Sequence, residues 1–211
     1  MKNQKKYNFM DLLKIVSTLS APNGCPWDRE QTHKSIRVNT IEEAYEVVDA
    51  IDRDDREAMI EELGDLLLQS VFHADIARRA GKFDINDILN VLCDKLISRH
   101  SHIFGEDSAS GADESVSVWE KNKAKEKGHA SLKAKLESIP SNLPALMRAQ
   151  KVIKKLNTDQ SKKSKIKLIT VEQLQVGLIT LIQRSIQSGI DAELALNQAV
   201  KNIIDGASEL I

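Results

Sequence analysis

Residues 42–69 read EEAYEVVDAIDRDDREAMIEELGDLLLQ, and the rest of the chain is interpreted outward from them. Apolar residues recur at three- and four-residue spacing on both sides of the acidic turn 52–54, which is typical of amphipathic helices. Asp54 and Glu57 have the spacing of a helix-start capping pair. The stretch therefore predicts an antiparallel helical hairpin, with one helix over about 35–51 and the next over about 55–79.

Each predicted helix of this hairpin carries two carboxylates three residues apart. Residues at that spacing lie on one helical face, so each pair projects in one direction. The four acids are Glu43 and Glu46 on the first helix, and Glu62 and Asp65 on the second. The midpoint between Glu46 and Glu62 is position 54, and so is the midpoint between Glu43 and Asp65. Since position 54 lies in the turn, an antiparallel hairpin brings all four carboxylates to one level.

Clustered carboxylates repel one another unless cations compensate their charge. An oxygen-only ligand set favours a hard ion, Mg²⁺ above all. Glu62, Asp65 and Gln69 continue one stripe beside leucines, which indicates an inward orientation. Exposed acid pairs on helices usually do no more than solvate the surface, and a slightly rotated helix would use Glu42 or Glu61 instead.

The remaining periodic segments also predict helices, six or seven in all, with no sheet. Gly81 is expected to end the long helix, and Asp84 to cap another that runs through Arg99. Residues 105–111 are predicted to form a loop. Further helices are expected over about 11–20, 114–127, 144–156, 170–188 and from 191 onward.

Composition limits the classes of partner. The chain has 30 basic and 31 acidic residues among 211, a net charge of -1, and is 41% hydrophobic. The chain has no overall positive charge, so direct nucleic-acid binding is not expected. Its apolar runs are all much shorter than the roughly 18 residues of a membrane span. The two cysteines are far apart, without metal-ligand or disulfide spacing. These features favour a cytoplasmic location.

Six motifs follow one another along the chain. They are NGCPWDREQTH at 23–33, EEAYEVVDA at 42–50, EELGDLLLQ at 61–69, KLISRH at 95–100, WEKNKA at 119–124 and LPALMRAQK at 143–151. Together they resemble the all-α nucleoside triphosphate pyrophosphohydrolases of the MazG type. The resemblance covers about residues 11–152 and is collectively specific.

The resemblance implies a helical-bundle homodimer, or a higher homo-oligomer, with a pyrophosphohydrolase domain over 8–152. It also implies Mg²⁺, with Mn²⁺ as a substitute, bound through Glu43, Glu46, Glu62 and Asp65. The implied reaction releases pyrophosphate from NTPs or dNTPs, for nucleotide-pool cleansing or alarmone control.

Other residues are candidates for substrate contacts or proton transfer. Glu46 is our choice for the general base, although sequence does not separate a ligand from a base. Lys95 and Arg99 lie four apart on one helical face beside His100 and suit phosphate contacts, with a solvated basic face as the alternative. Lys123 is a weaker candidate because its helix alternates Lys and Glu. Trp27 would stack on a base or plug the end of the bundle, and Gln31 would contact a base or sugar.

The tail resembles a degenerate second copy of the carboxylate domain. A basic linker is predicted over 153–169 and a smaller helical unit over 170–211. There Gln173 and Val176 stand where the family motif has acids, so this copy is expected not to bind magnesium. Its expected role is packing or dimerisation through an apolar stripe formed by Ile179, Leu181, Ile182, Ile186, Leu194, Leu196 and Ile203.

Two other functions compete with this interpretation. One is a catalytically idle, helical dimer that senses nucleotides or acts as a scaffold. The other is a related pyrophosphohydrolase dedicated to dUTP, dCTP or phosphoribosyl-ATP.

Overall fold

The computed structural model describes residues 6–128, 131–159 and 168–207, and every regular element within these ranges is an α-helix. The predicted all-α class is confirmed. The chain divides into two compact units, 1–115 and 116–211. The helices of the described ranges are α1 (Phe9–Leu19), α2 (Pro26–Glu30), α3 (Asn39–Asp52), α4 (Arg56–Arg79), α5 (Ile85–Arg99), α6 (Ser101–Phe104), α7 (Ala112–Lys127), α8 (Leu132–Glu137), α9 (Ala145–Asp159), α10 (Val171–Gln187) and α11 (Ala192–Gly206).

The number of helices exceeds the six or seven expected. Part of the excess consists of α2, α6 and α8, which have only five, four and six residues. Helices this short span less than two turns, so they show no apolar periodicity in the sequence.

The predicted hairpin is formed by α3 and α4 on either side of a three-residue turn. Asp54 in that turn adopts a left-handed conformation, with φ of 52°. The N-cap of α4 is Asp55, whose carboxylate accepts a hydrogen bond from the amide of Ala58 at 3.0 Å. The prediction that Asp54 caps this helix is wrong, because the left-handed residue closes the turn and leaves the next residue extended at the cap position.

The C-terminal half of α4 forms the core of the first unit with α1. Val16 of α1 packs with Val71, Phe72 and Ile76 of α4, and Ile36 joins them from the segment before α3. Gly24 lies in the loop between α1 and α2, where an added Cβ would come within 2.2 Å of the Leu19 carbonyl oxygen. Only glycine permits this close approach, and it holds α2 against the end of α1.

The end of α4 matches the sequence expectation. Gly81 has φ of 65°, and the amide of Lys82 donates to the Ala77 carbonyl. Asp84 then caps α5 by accepting hydrogen bonds from the amides of Asn86 and Asp87 at 2.7 and 3.3 Å.

Asp75 is a buried carboxylate of the first unit. It is 6% exposed, and its carboxylate forms ion pairs with the guanidinium groups of Arg78, at an N–O distance of 2.7 Å, and of Arg79, at 3.1 Å. Burial alone would raise the pKa of Asp75, but hydrogen bonds from Ser20 and Arg78 and the two guanidinium charges outweigh it and hold the pKa below its usual value of 3.8. The folded state therefore binds a proton at Asp75 less readily than the unfolded chain.

We expect Asp75→Asn to lower the free energy of unfolding at neutral pH by about 1.5–3 kcal/mol, the range for hydrogen bonds to charged groups. Because the pKa of Asp75 is lower in the folded state, this stabilisation is complete above pH 3.8, the usual pKa. It is lost as the pH falls through the pKa of the folded state. Urea unfolding followed by circular dichroism across that range measures the effect. Asp49→Asn, which breaks the exposed pair with Arg53, is the control and should cost less than about 1 kcal/mol. A difference for Asp75→Asn that does not shrink in acid would contradict the account.

The second unit has its own core, in which α8, α9 and α11 meet. Its buried members are Leu136, Ile139, Ala149, Val152, Val200, Ile204 and Ala207. Of the apolar stripe predicted for the tail, only Leu196 packs against this core. The prediction that this stripe is a packing surface is therefore wrong. α11 turns Val200 and Ile204 inward, together with Ala207 just after its end, whereas α10 has no buried residue. Its role in dimerisation stays a prediction.

The predicted linker is helical at its start, because α9 runs to Asp159. Residues 160–167 lie outside the described ranges. The boundary between the two compact units, after Ser115, differs from the predicted domain boundaries at 152 and 169. The division into those domains stays a prediction. Among the described residues, none of the helices combines the length and apolar character needed to cross a membrane.

Candidate functional site

Three of the four predicted carboxylates converge. One oxygen from each of Glu43, Glu62 and Asp65 lies within 4.8 Å of the others, with Glu43 on α3 and the other two on α4. This is the consequence of centring both acid pairs on the turn, since the two helices run back along each other from it. Glu42 and Glu61, the alternatives for a slightly rotated helix, are not members of this group, and neither is Glu46.

Glu46 lies beside this group and interacts with it. Its negative charge acts on the carboxyl groups of both Glu43 and Glu62. Burial, followed by the charges of Asp65 and Glu46, raises the pKa of Glu43. Burial, followed by the charges of Glu46, Glu61 and Asp65, raises the pKa of Glu62, against the opposing charge of Arg53. The cluster therefore carries uncompensated negative charge.

The donor set fits a divalent cation. Within the described ranges no lysine or arginine forms an ion pair with Glu43, Glu46, Glu62 or Asp65. A bound cation would remove the repulsion that raises the two pKa values. Three converging carboxylates suit Mg²⁺ or Mn²⁺, which take oxygen ligands and retain water.

A cavity of about 290 Å³ adjoins the carboxylates and lies within the first unit. Its polar lining consists of Glu43 and Asp65 together with Asp28, Asn39 and Gln69. The rest of the lining is apolar or aromatic and comes from Val16, Leu19, Trp27, Ile36, Leu68 and Phe72. The site thus combines an anionic group that can hold a metal with an apolar cavity that can hold a flat ring.

The structure assigns different surroundings to Trp27 and Gln31. Trp27 is 57% exposed, lines the cavity and has its ring centroid 6.3 Å from that of Phe72. Gln31 is not among the lining residues; its amide nitrogen donates to the Trp27 carbonyl at 2.8 Å, and its amide oxygen accepts from Ser35 at 2.8 Å. In this arrangement Gln31 fixes the loop after α2 instead of facing the cavity.

The predicted phosphate contacts are not part of the cavity lining. Arg99 is 6% exposed and lies at the end of α5, Lys95 is half-buried one turn earlier, and His100 bonds to the Leu96 carbonyl through Nδ1 at 2.7 Å. Lys123 belongs to the second unit, where it pairs with Glu120 at 3.3 Å and lies 4.2 Å from the centre of the Trp119 ring. Their roles toward phosphate stay predictions.

The sequence predicts no role for Asp28, Asn39 and Gln69, three polar residues of the cavity lining. Gln69 lies on the carboxylate stripe of α4, and its position one turn after Asp65 is the signal that points to the cavity. Asp28 and Asn39 lie before and at the start of α3, and no periodicity points them toward α4. Only the packing of α2 and α3 onto α4 brings these three residues to one cavity.

Known proteins resemble this chain over the same region. Residues 31–104 match the model of the MazG nucleotide pyrophosphohydrolase domain. The chain is 48% identical over 145 residues to the nucleoside triphosphate pyrophosphohydrolase of Escherichia coli K12, covering 68% of this chain and 55% of that protein. It is 37% identical over 205 residues to the nucleoside triphosphate pyrophosphohydrolase of Mycobacterium tuberculosis, covering 96% of this chain and 58% of that protein.

A third relative, from Thermotoga maritima, is named nucleoside triphosphate pyrophosphohydrolase/pyrophosphatase MazG and is 44% identical over 144 residues, which cover 68% of this chain and 54% of the relative. The chain therefore spans about half the length of these curated relatives. A crystal structure of a mazG-related protein from Thermotoga maritima aligns with a TM-score of 0.47 and 24% identity, over 54% of this chain and 97% of that one.

Proposed function

This chain belongs to the MazG nucleotide pyrophosphohydrolase family, and from that premise we propose that it hydrolyses nucleoside triphosphates to the monophosphate and pyrophosphate. The observation that carries the proposal is the convergence of Glu43, Glu62 and Asp65 at the edge of an apolar cavity. The cavity receives the nucleoside and the carboxylates face its phosphates. The same chemistry serves nucleotide-pool cleansing or alarmone control.

Glu43, Glu62 and Asp65 would hold the divalent cation, Mg²⁺ in the first instance, with Glu46 beside them. When bound, the ion neutralises charge on the phosphates and lowers the pKa of water that it coordinates. The carboxylates of α3 and α4 would hold the ion, and the phosphates of the substrate would be oriented toward the cluster. The apolar lining excludes bulk water from the nucleoside end.

Glu46 is the proposed general base. It stands beside the group of three and is not one of the converging ligands, so its carboxylate is available to accept a proton. As the attacking water adds to the α phosphorus, Glu46 accepts its proton, and the α–β bridging oxygen leaves with pyrophosphate.

The direct test is incubation of the purified chain with each NTP and dNTP, with and without Mg²⁺, followed by measurement of pyrophosphate and of the monophosphate. We expect equimolar products, loss of turnover with a chelator and recovery on adding Mg²⁺ or Mn²⁺. dUTP, dCTP and phosphoribosyl-ATP belong in the panel, and turnover of one of them alone would establish the dedicated enzyme. No turnover across the panel would leave the nucleotide-sensing or scaffold dimer as the better description.

The proposed assembly is a homodimer formed through α3 and the N-terminal half of α4. α1 covers only the C-terminal half of α4, and the uncovered part presents large apolar side chains to solvent. On α4 these residues lie at three- and four-residue spacing and form one face. The exposed members are Ile41, Tyr45 and Val48 on α3, and Ile60, Leu63 and Leu67 on α4.

Gly64 supports a close contact at this part of α4. A glycine inside a helix costs roughly 1 kcal/mol relative to alanine. Apart from its two chain neighbours and the nearby backbone of α4 itself, no atom of the described chain lies within 4 Å of a Cβ built at Gly64, so packing against other elements does not explain it. A second copy of the hairpin, approaching along the apolar face, supplies both the burial and the close neighbour.

A further inference from the structure

The side chain of Gln69 is buried without satisfying its hydrogen-bonding capacity. The residue is 6% exposed, and its Oε1 has no hydrogen-bond partner among the described residues. Leaving a buried carbonyl oxygen unpaired costs about 1–3 kcal/mol. Unpaired buried polar groups are uncommon in folded proteins, and a ligand is one of the things that satisfies them.

Gln69 lies where such a ligand would sit. It is one helical turn beyond Asp65 on α4, and both residues line the 290 Å³ cavity together with Glu43. A nucleotide whose phosphates lie over Glu43 and Asp65 would have room to place its base in the part of the cavity lined by Gln69. Phe72 and Trp27 supply aromatic walls for a planar ring there.

The polar atoms of the cavity favour one class of base. The unpaired Gln69 oxygen is an acceptor, and the Asp28 carboxylate on the same lining accepts only, when ionised. The exocyclic amino group of adenine, cytosine or guanine offers two N–H donors. Uracil and thymine instead offer a single imide N–H between two carbonyl oxygens, which would face these acceptors.

We propose that Gln69 determines base specificity, its amide oxygen accepting a hydrogen bond from the exocyclic amino group of a nucleobase. Amino-bearing nucleotides are then preferred to those of uracil and thymine. This inference rests on the proposed function, since it takes a nucleotide as the occupant of the cavity.

The test crosses two substrates with two proteins. The substrates are ATP and purine riboside triphosphate, which differ only by the amino group, and the proteins are the unmodified chain and Gln69→Leu. For the unmodified chain we expect kcat/KM to be about tenfold higher with ATP, the value of one hydrogen bond. In Gln69→Leu the ATP value falls by that factor, through KM, and the value for the amine-free substrate is unchanged. CTP should likewise exceed UTP only when Gln69 is present.

Gln69→Met is the second apolar variant, in case leucine does not fit, and Gln150→Leu, on the exposed face of α9, is the matched control. Thermal unfolding verifies that each protein is folded. Equal losses with ATP and the amine-free substrate would give Gln69 a structural role only. No loss with either substrate would mean that Gln69 bonds nothing but an ordered water. Each of these results overturns the proposal, as does equal use of CTP and UTP by the unmodified chain.

Calorimetric titration with the α,β-methylene analogues of CTP and UTP separates this proposal from the proposed function. Binding that favours the cytosine analogue and loses the preference in Gln69→Leu upholds the specificity role even if no triphosphate is hydrolysed. Hydrolysis with no such preference upholds the enzyme and overturns the role of Gln69.

Discussion

Glu43→Gln and Asp65→Asn are each expected to lower kcat/KM for every nucleoside triphosphate by at least about 10³-fold, the equivalent of roughly 4 kcal/mol of transition-state stabilisation. Both changes keep the size of the side chain and remove one negative oxygen ligand from the group whose oxygens lie within 4.8 Å. The remaining carboxylates hold a divalent cation more weakly. The loss should therefore be smaller at high Mg²⁺ concentration, which a titration of turnover against Mg²⁺ measures.

Glu42→Gln is the matched control for this prediction. Glu42 is the neighbour of Glu43 on α3, is exposed, and is not a member of the converging group. Its activity should stay within about twofold, since it changes the same charge by the same chemistry without removing a ligand. Full activity in Glu43→Gln or Asp65→Asn, or an equal loss in Glu42→Gln, would show that the site lies elsewhere.

Leu63→Glu is expected to convert the proposed dimer to a monomer, with a rise of at least 10³-fold in the dissociation constant. In a two-fold symmetric interface the change occurs twice, and each copy loses about 1.5–3 kcal/mol of apolar burial and gains a charge to desolvate. Sedimentation velocity over a range of concentrations measures the constant. Leu63 is 48% exposed in the single chain, so the charge is tolerated there when no partner covers it.

Val116→Glu is the control for the interface, because it places the same charge at an exposed apolar residue outside the hairpin. It should leave the association unchanged. A monomeric unmodified chain, or a Leu63→Glu variant that still dimerises, would exclude this face as the interface. In the second case the exposed apolar residues of α10 would be the next surface to test.

The predictable part of the fold follows from local chemistry. Asp84 caps the helix that it was expected to cap, and Gly81 ends the long helix with a positive φ. These residues act on backbone groups only a few positions away, so their effect is readable without tertiary context. The capping prediction for Asp54 is wrong because whether this residue caps the helix or adopts a left-handed turn depends on how the two helices meet.

The acidic spacing about position 54 predicts that the two acid pairs meet, because a hairpin with a short turn pairs residues at equal distances from it, and Glu43, Glu62 and Asp65 of those four converge. Which residues face those carboxylates across the cavity was decided only by the tertiary structure. Asp28, Asn39 and Gln69 come from three helices, and their meeting depends on the close approach at Gly24 and on the packing of α1 against α4. Such contacts join residues distant in sequence and leave no periodic signal in it, whereas helix caps and the hairpin register are local.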